Sequence, residues 1–127
     1  MIPINAPQIG EEEIEAVVKV MKSGLLTHGL GAGPMVTQFE KEFAKFAKTK
    51  HAIAVNTGTA ALHLSIIWTG IKPGDEVILP SFTFVATAEA VVMAGAKPVF
   101  VDINPDTYNI SSDEVEKAVT NKTKAII

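Results

Sequence analysis

Ile53-Ala54-Val55-Asn56-Thr57-Gly58-Thr59-Ala60-Ala61-Leu62 changes character half-way, and the change points to a fold class. The run His51 to Val55 is short, apolar and partly β-branched, which predicts a strand. Asn56-Thr57-Gly58-Thr59 interrupts it with hydroxyls and a glycine, and Ala60 to Trp68 resumes as an apolar helix. The same alternation repeats downstream. Lys72-Pro73-Gly74-Asp75 is a turn, Glu76 to Leu79 a strand ended by Pro80, and Phe84 to Ala94 a buried helix ended by Gly95. Lys97 to Asp102 is a third strand, and Asn104-Pro105-Asp106 another turn. Ser111 or Ser112 then caps a helix through Thr120, with Glu114 placed for a capping box, and a fourth strand begins at Lys124. Strand, helix, strand in this order is the grammar of βαβ units, so an α/β fold with a mostly parallel sheet and flanking helices is expected. The apolar strands suit burial on both faces.

Upstream the period is helical. Ile14, Val17, Val18 and Met21 share one face of a helix over Glu11 to Lys22, and Ser23-Gly24 stops it. A Gly-rich loop, Leu25 to Pro34, leads to a second helix with Val36, Phe39, Phe43, Phe46 and Ala47 on one face. The expected organisation is therefore two helices and a loop over residues 1–50 and a βαβαβαβ core over 51–127. The apolar strand at Ala125-Ile126-Ile127 reads as the start of more sheet, so the chain is expected to be part of a larger domain.

Composition narrows the function classes. The 127 residues carry a net charge of −3, and all eleven cationic side chains are Lys, so no Arg fork is present to clamp a carboxylate or phosphate. An anion must be held by backbone amides, hydroxyls, helix ends or Lys. No basic stripe points to nucleic acid, and no apolar run is long and uncharged enough to span a membrane. There is no Cys, which removes disulfides and thiolate chemistry from this stretch. The start lacks the regions of a signal peptide, and a cytoplasmic location is expected.

In a parallel sheet, ligands bind beyond the carboxyl ends of the strands. Two such ends stand out. At Thr57-Gly58-Thr59 a helix begins directly after a strand, so free N–H groups, two hydroxyls and the positive helix end together make a phosphate site; alternatively Thr57 or Thr59 only caps the helix. At Ser81-Phe82-Thr83-Phe84 two aromatics offer a flat face to a planar ligand, or else fill core beneath the next helix. Gly29-Leu30-Gly31-Ala32-Gly33 imitates a dinucleotide fingerprint, but no strand precedes it. His28, His51 and His63 lie at spacings that fit no metal site. Asp75, Glu76 and Asp102 occupy turn and strand-end positions where solvated carboxylates are the ordinary case.

Taken in order, Leu26-Thr27-His28-Gly29, Phe39-Glu40-Lys41-Glu42-Phe43-Ala44, Asn56-Thr57-Gly58-Thr59-Ala60-Ala61-Leu62-His63-Leu64, Pro80-Ser81-Phe82-Thr83-Phe84-Val85-Ala86-Thr87 and Gly95-Ala96-Lys97-Pro98-Val99-Phe100-Val101-Asp102 strongly resemble the DegT/DnrJ/StrS family of nucleotide-sugar aminotransferases. The resemblance runs from Pro3 to Ile127. It implies the large domain of fold type I and the cofactor pyridoxal 5'-phosphate (PLP). It also implies that Gly58 and Thr59, with Thr57 adjacent, hold the cofactor phosphate, that Phe84 stacks on its pyridine ring, and that Thr27 lines the sugar side of the pocket.

The implied substrates are a nucleoside-diphosphate keto-sugar and an amino acid donor such as glutamate, and the implied assembly is a homodimer. The family's Schiff-base lysine and its pyridine-nitrogen aspartate match no position here, so the catalytic pair is expected beyond residue 127. These 127 residues alone are then expected to be inactive. Two other readings stay open: a PLP-dependent sugar dehydratase of the same family, and a non-catalytic phosphate-binding or regulatory module.

Overall fold

Three consecutive glutamates open the first helix, α1 (Glu11–Ser23), where the positive end of the helix favours them. The Glu13 carboxylate turns back to accept the Gly10 N–H at 2.7 Å, and Gly24, at φ 68°, closes the helix in the left-handed conformation. Pro34 occupies the first turn of α2 (Pro34–Phe46), where its missing N–H costs nothing. In this computed structural model, residues 5–26 and 33–127 are described. The chain divides into two compact units, residues 1–54 and 55–127.

The expected strand over His51 to Val55 does not form. The Ala54 N–H donates to the Glu40 carboxylate of α2 at 2.9 Å, and the His51 carbonyl accepts the Thr49 hydroxyl at 2.9 Å. Side chains thus take up backbone groups that a ladder would need, and no described strand pairs with this run.

The second unit contains α3 (Gly58–Trp68), β1 (Glu76–Pro80), α4 (Val85–Met93), β2 (Lys97–Val101), α5 (Ser112–Ala118) and β3 (Thr123–Ile126). Three strands rather than four make the sheet, in the order β2-β1-β3, and both pairings are parallel. β1 is central, and Val77, Ile78 and Leu79 are wholly buried, as a continuous apolar run in a parallel sheet should be. The connection through α4 joins neighbouring strands β1 and β2, and the one through α5 passes β1 to reach β3.

The core on the α4 face joins Ile66 of α3, Val77 of β1, Ala90 and Val91 of α4, and Ala96. Burying each of the larger side chains contributes about 1.5–3 kcal/mol. Ile66 of α3 and Val91 of α4 belong to this one cluster, so the two helices pack against each other on this face of β1.

Two details of α5 depart from the sequence reading. The helix ends at Ala118, because Val119 is extended and Thr120 spends its hydroxyl on Glu76 and its N–H on the Thr123 hydroxyl. Ser111 does cap it, accepting the Glu114 N–H at 3.4 Å. The reciprocal half of the box is absent, since the Ser111 N–H already donates to the Asp102 carbonyl and Glu114 pairs with Lys117 at 2.7 Å.

Glu76 is not a solvated carboxylate. It is 8% exposed at the amino end of β1, accepting the Thr120 hydroxyl at 2.7 Å and the Lys97 ammonium at 3.1 Å. The Thr120 hydrogen bond first, and Lys97 second, hold its carboxyl below the usual carboxylate range.

Candidate functional site

The start of α3 leaves backbone donors uncommitted. Thr57 is its N-cap in extended conformation, with its hydroxyl oxygen accepting the Ala60 N–H at 3.0 Å. That bond uses a lone pair and leaves the hydroxyl proton free to donate outward. The N–H groups of Gly58 and Thr59, the first two of the helix, have no acceptor among the described residues. Apart from its chain neighbours and the backbone of its own helix, no described atom lies within 4 Å of where a side chain would begin at Gly58, so a ligand can approach the backbone closely. The capping role and the phosphate role read from the sequence are therefore compatible in one residue.

The second strand end supplies the aromatic face. Phe84 is the N-cap of α4 and is 76% exposed. Phe82 is 66% exposed. Neither residue is buried within these 127 residues. The loop that carries them is anchored at both ends. Ser81 N–H donates to the Val101 carbonyl at 2.8 Å, and the Thr83 and buried Thr87 hydroxyls bond each other at 2.9 Å across the first turn of α4. Thr87 N–H donates to the Phe84 carbonyl at 3.0 Å. Thr57-Gly58-Thr59 and Phe84 thus open the two helices, α3 and α4, that pack against each other, and Phe84 lies just beyond the carboxyl end of β1.

Thr27 and His28 lie outside the described residues. His51 is exposed, and His63 is half-buried on α3 with its Nε2 atom buried and unpartnered among the described residues. Two features escaped the sequence reading. Tyr108 has φ 60° and rests on Phe82 with ring centroids 5.9 Å apart. Glu40 anchors the backbone at Ala54. The Asn104-Pro105-Asp106 turn hinted at the first; the second pairs residues fourteen apart with no sequence signal.

The sequence profile of the DegT/DnrJ/EryC1/StrS aminotransferase family matches residues 7–127. The chain belongs to this family. Among its relatives is the spore coat polysaccharide biosynthesis protein SpsC of Bacillus subtilis, 49% identical over 126 residues, covering 99% of this chain and 31% of that protein. Two solved structures agree in fold. One is Spr1654 of Streptococcus pneumoniae, described as a sugar aminotransferase in its PLP form, at TM-score 0.88 and 38% identity over 98% of this chain and 31% of that one. The other is an aminotransferase from Psychrobacter cryohalolentis, with the same TM-score, identity and coverage. The family chain described here thus spans about a third of the length of these relatives, and its sheet and helices follow the fold type I pattern.

Proposed function

We propose that this chain forms the phosphate-and-ring-binding part of a PLP-dependent aminotransferase that aminates a keto-sugar carried on a nucleoside diphosphate. What supports the reading is that two helices packed against each other begin, one with uncommitted N–H groups at an open start and the other with an exposed, anchored aromatic residue. A phosphorylated pyridine needs those two features together, and it needs no Arg to be held this way.

When bound, PLP supplies an electron sink that lets an amino group move between an amino acid and a carbonyl compound. The residues here bind and orient it. Gly58 and Thr59 N–H groups and the Thr57 hydroxyl donate to the phosphate, and the Phe84 ring covers one face of the pyridine, excluding water from it. Thr83 and Thr87 fix the turn that presents Phe84. Thr27 borders the sugar.

Because relatives are about three times as long, the lysine that holds the cofactor and the aspartate at its ring nitrogen are assigned to the rest of the protein. Residues 1–50 and 51–127 serve as the helical lead-in and the core of one large domain. Glutamate is the expected donor, a homodimer the expected assembly, and the cytoplasm the expected location. Among the described residues no helix is long and apolar enough to cross a membrane.

The test is direct. Full-length protein mixed with PLP should develop the visible absorbance of bound cofactor, lose it on adding glutamate, and regain it on adding a nucleoside-diphosphate keto-sugar. Absence of any cofactor band refutes the reading. Water loss from the sugar without amine transfer would assign the dehydratase chemistry instead.

A further inference from the structure

The carboxyl edge of the sheet carries a second aromatic feature that the cofactor reading leaves unused. Phe82 follows β1, and Tyr108 lies on the loop that follows β2, so both belong to the side of the unit on which α/β sheets bind ligands. Their rings meet at 5.9 Å with 45° between the planes. That tilt makes an open ledge rather than a closed sandwich. Tyr108 remains 64% exposed, like Phe82 on its outer side.

The loop under Tyr108 is held firmly. The Asn104 side-chain oxygen accepts the N–H groups of Asp106 at 2.9 Å and Thr107 at 3.2 Å. The Asn104 carbonyl accepts the Tyr108 N–H, its N–H donates to the Asn109 carbonyl, both at 2.8 Å, and Ile103 pairs with Ile110. These bonds keep Tyr108 at φ 60°, a conformation that a bulky side chain disfavours and glycine adopts freely. A tyrosine there, strained and exposed within these 127 residues, presents its ring on a rigid support, which is the pattern expected of a binding residue.

We infer that the Phe82–Tyr108 ledge is a stacking site for the base of the nucleoside diphosphate, a deepening that rests on the proposed function. Charge separates the base from the rest of that ligand. Residues 102–110 carry Asp102 and Asp106 and no cation, so the loop repels a diphosphate and suits an uncharged ring. Stacking on an aromatic face tolerates any base, so the ledge contributes affinity with little discrimination between pyrimidine and purine.

Calorimetric titration of the full-length protein with uridine diphosphate, thymidine diphosphate and guanosine diphosphate tests this, with ribose 5-phosphate and pyrophosphate as base-free probes. Tyr108→Gly removes the ring while relieving the backbone, so it should weaken all three nucleotides about tenfold without lowering the melting temperature. Phe82→Ala should act in the same direction, Tyr108→Phe should bind like the unaltered protein, and the base-free probes should be indifferent to all three changes.

Unchanged nucleotide affinity in both Tyr108→Gly and Phe82→Ala overturns the inference, as does equal weakening of the base-free probes. A fall in melting temperature with affinity intact would make the ledge a packing surface, and overturns it too. Failure of the unaltered protein to bind any of the three nucleotides also overturns it. PLP uptake, followed separately by absorbance, reports whether the proposed function survives that result.

Discussion

Replacing Thr57 by aspartate separates the two jobs that the start of α3 performs. The Thr57 hydroxyl caps the helix by accepting the Ala60 N–H at 3.0 Å. Aspartate caps at least as well, and its charge interacts favourably with the helix start by about 0.3–1 kcal/mol. Thr57→Asp should therefore melt at or slightly above the temperature of the unaltered protein. Thr57→Ala should lose about 1 kcal/mol, the ordinary cost of a missing cap.

Cofactor binding should respond in the opposite sense. A carboxylate beside a phosphate, at a separation of about 4 Å, is repelled by about 1 kcal/mol per charge pair in bulk water and about 4 kcal/mol near a protein surface. The phosphate carries nearly two charges, so PLP affinity should fall at least about tenfold in Thr57→Asp, at about 1.4 kcal/mol per factor of ten. Thermal melts and a PLP titration of the full-length protein, with Thr57→Ser as the conservative control, read both quantities. Thr57→Asp binding PLP as tightly as the unaltered protein would refute the placement of the phosphate at this helix. A Thr57→Asp protein less stable than Thr57→Ala would refute the capping argument.

Other perturbations follow from the same geometry. Glu76 has its folded-state pKa depressed, so its contribution is fully present above the unfolded value of about 4.3 and is lost as pH falls through the folded value. Melting temperature should drop below about pH 4, and Glu76→Gln should be less stable near neutrality and show a shallower acid limb; an identical limb would contradict the clamp. Lys48, at φ 54° past the end of α2, sits where helices commonly place glycine, with Thr49 N–H donating to the Ala44 carbonyl at 2.9 Å. Lys48→Gly should raise stability by about 0.5–1 kcal/mol in a denaturant titration. Gly95, at φ 81°, would bring a new side chain to 3.3 Å from Pro73 Cγ, so Gly95→Ala should cost about 1 kcal/mol or more in the same assay.

The α/β character was legible in the sequence because local signals and global fold agree from Gly58 onward. Glycine and proline punctuation at Pro73-Gly74, Pro80 and Gly95 bounds elements that the structure places within a residue or two. His51 to Val55 misled because period and apolarity report burial preference, whereas a strand also needs a partner for its backbone, and Glu40 takes that place at Ala54. Glu76 misled for a related reason. Its neighbours Lys97 and Thr120 are remote in sequence and meet it only through the β1–β2 register and the end of α5. The helix start at Gly58 and its Thr57 cap were legible because a cap is local, a helix end and its preceding loop. Phe84 was legible as a candidate, but exposure decides between ligand face and core filler, and no sequence pattern supplies it. Tyr108 was invisible because its importance lies in a backbone angle and in a ring it meets across two loops.

The central claim is that the start of α3 holds the phosphate of PLP, and the most direct measurement compares PLP with pyridoxal, which lacks only that group. Competition between the two on the full-length protein, read by cofactor absorbance, should give pyridoxal an affinity at least about a hundredfold lower, since two N–H groups and one hydroxyl each lose a charged acceptor. Equal affinity for the two compounds would contradict the account.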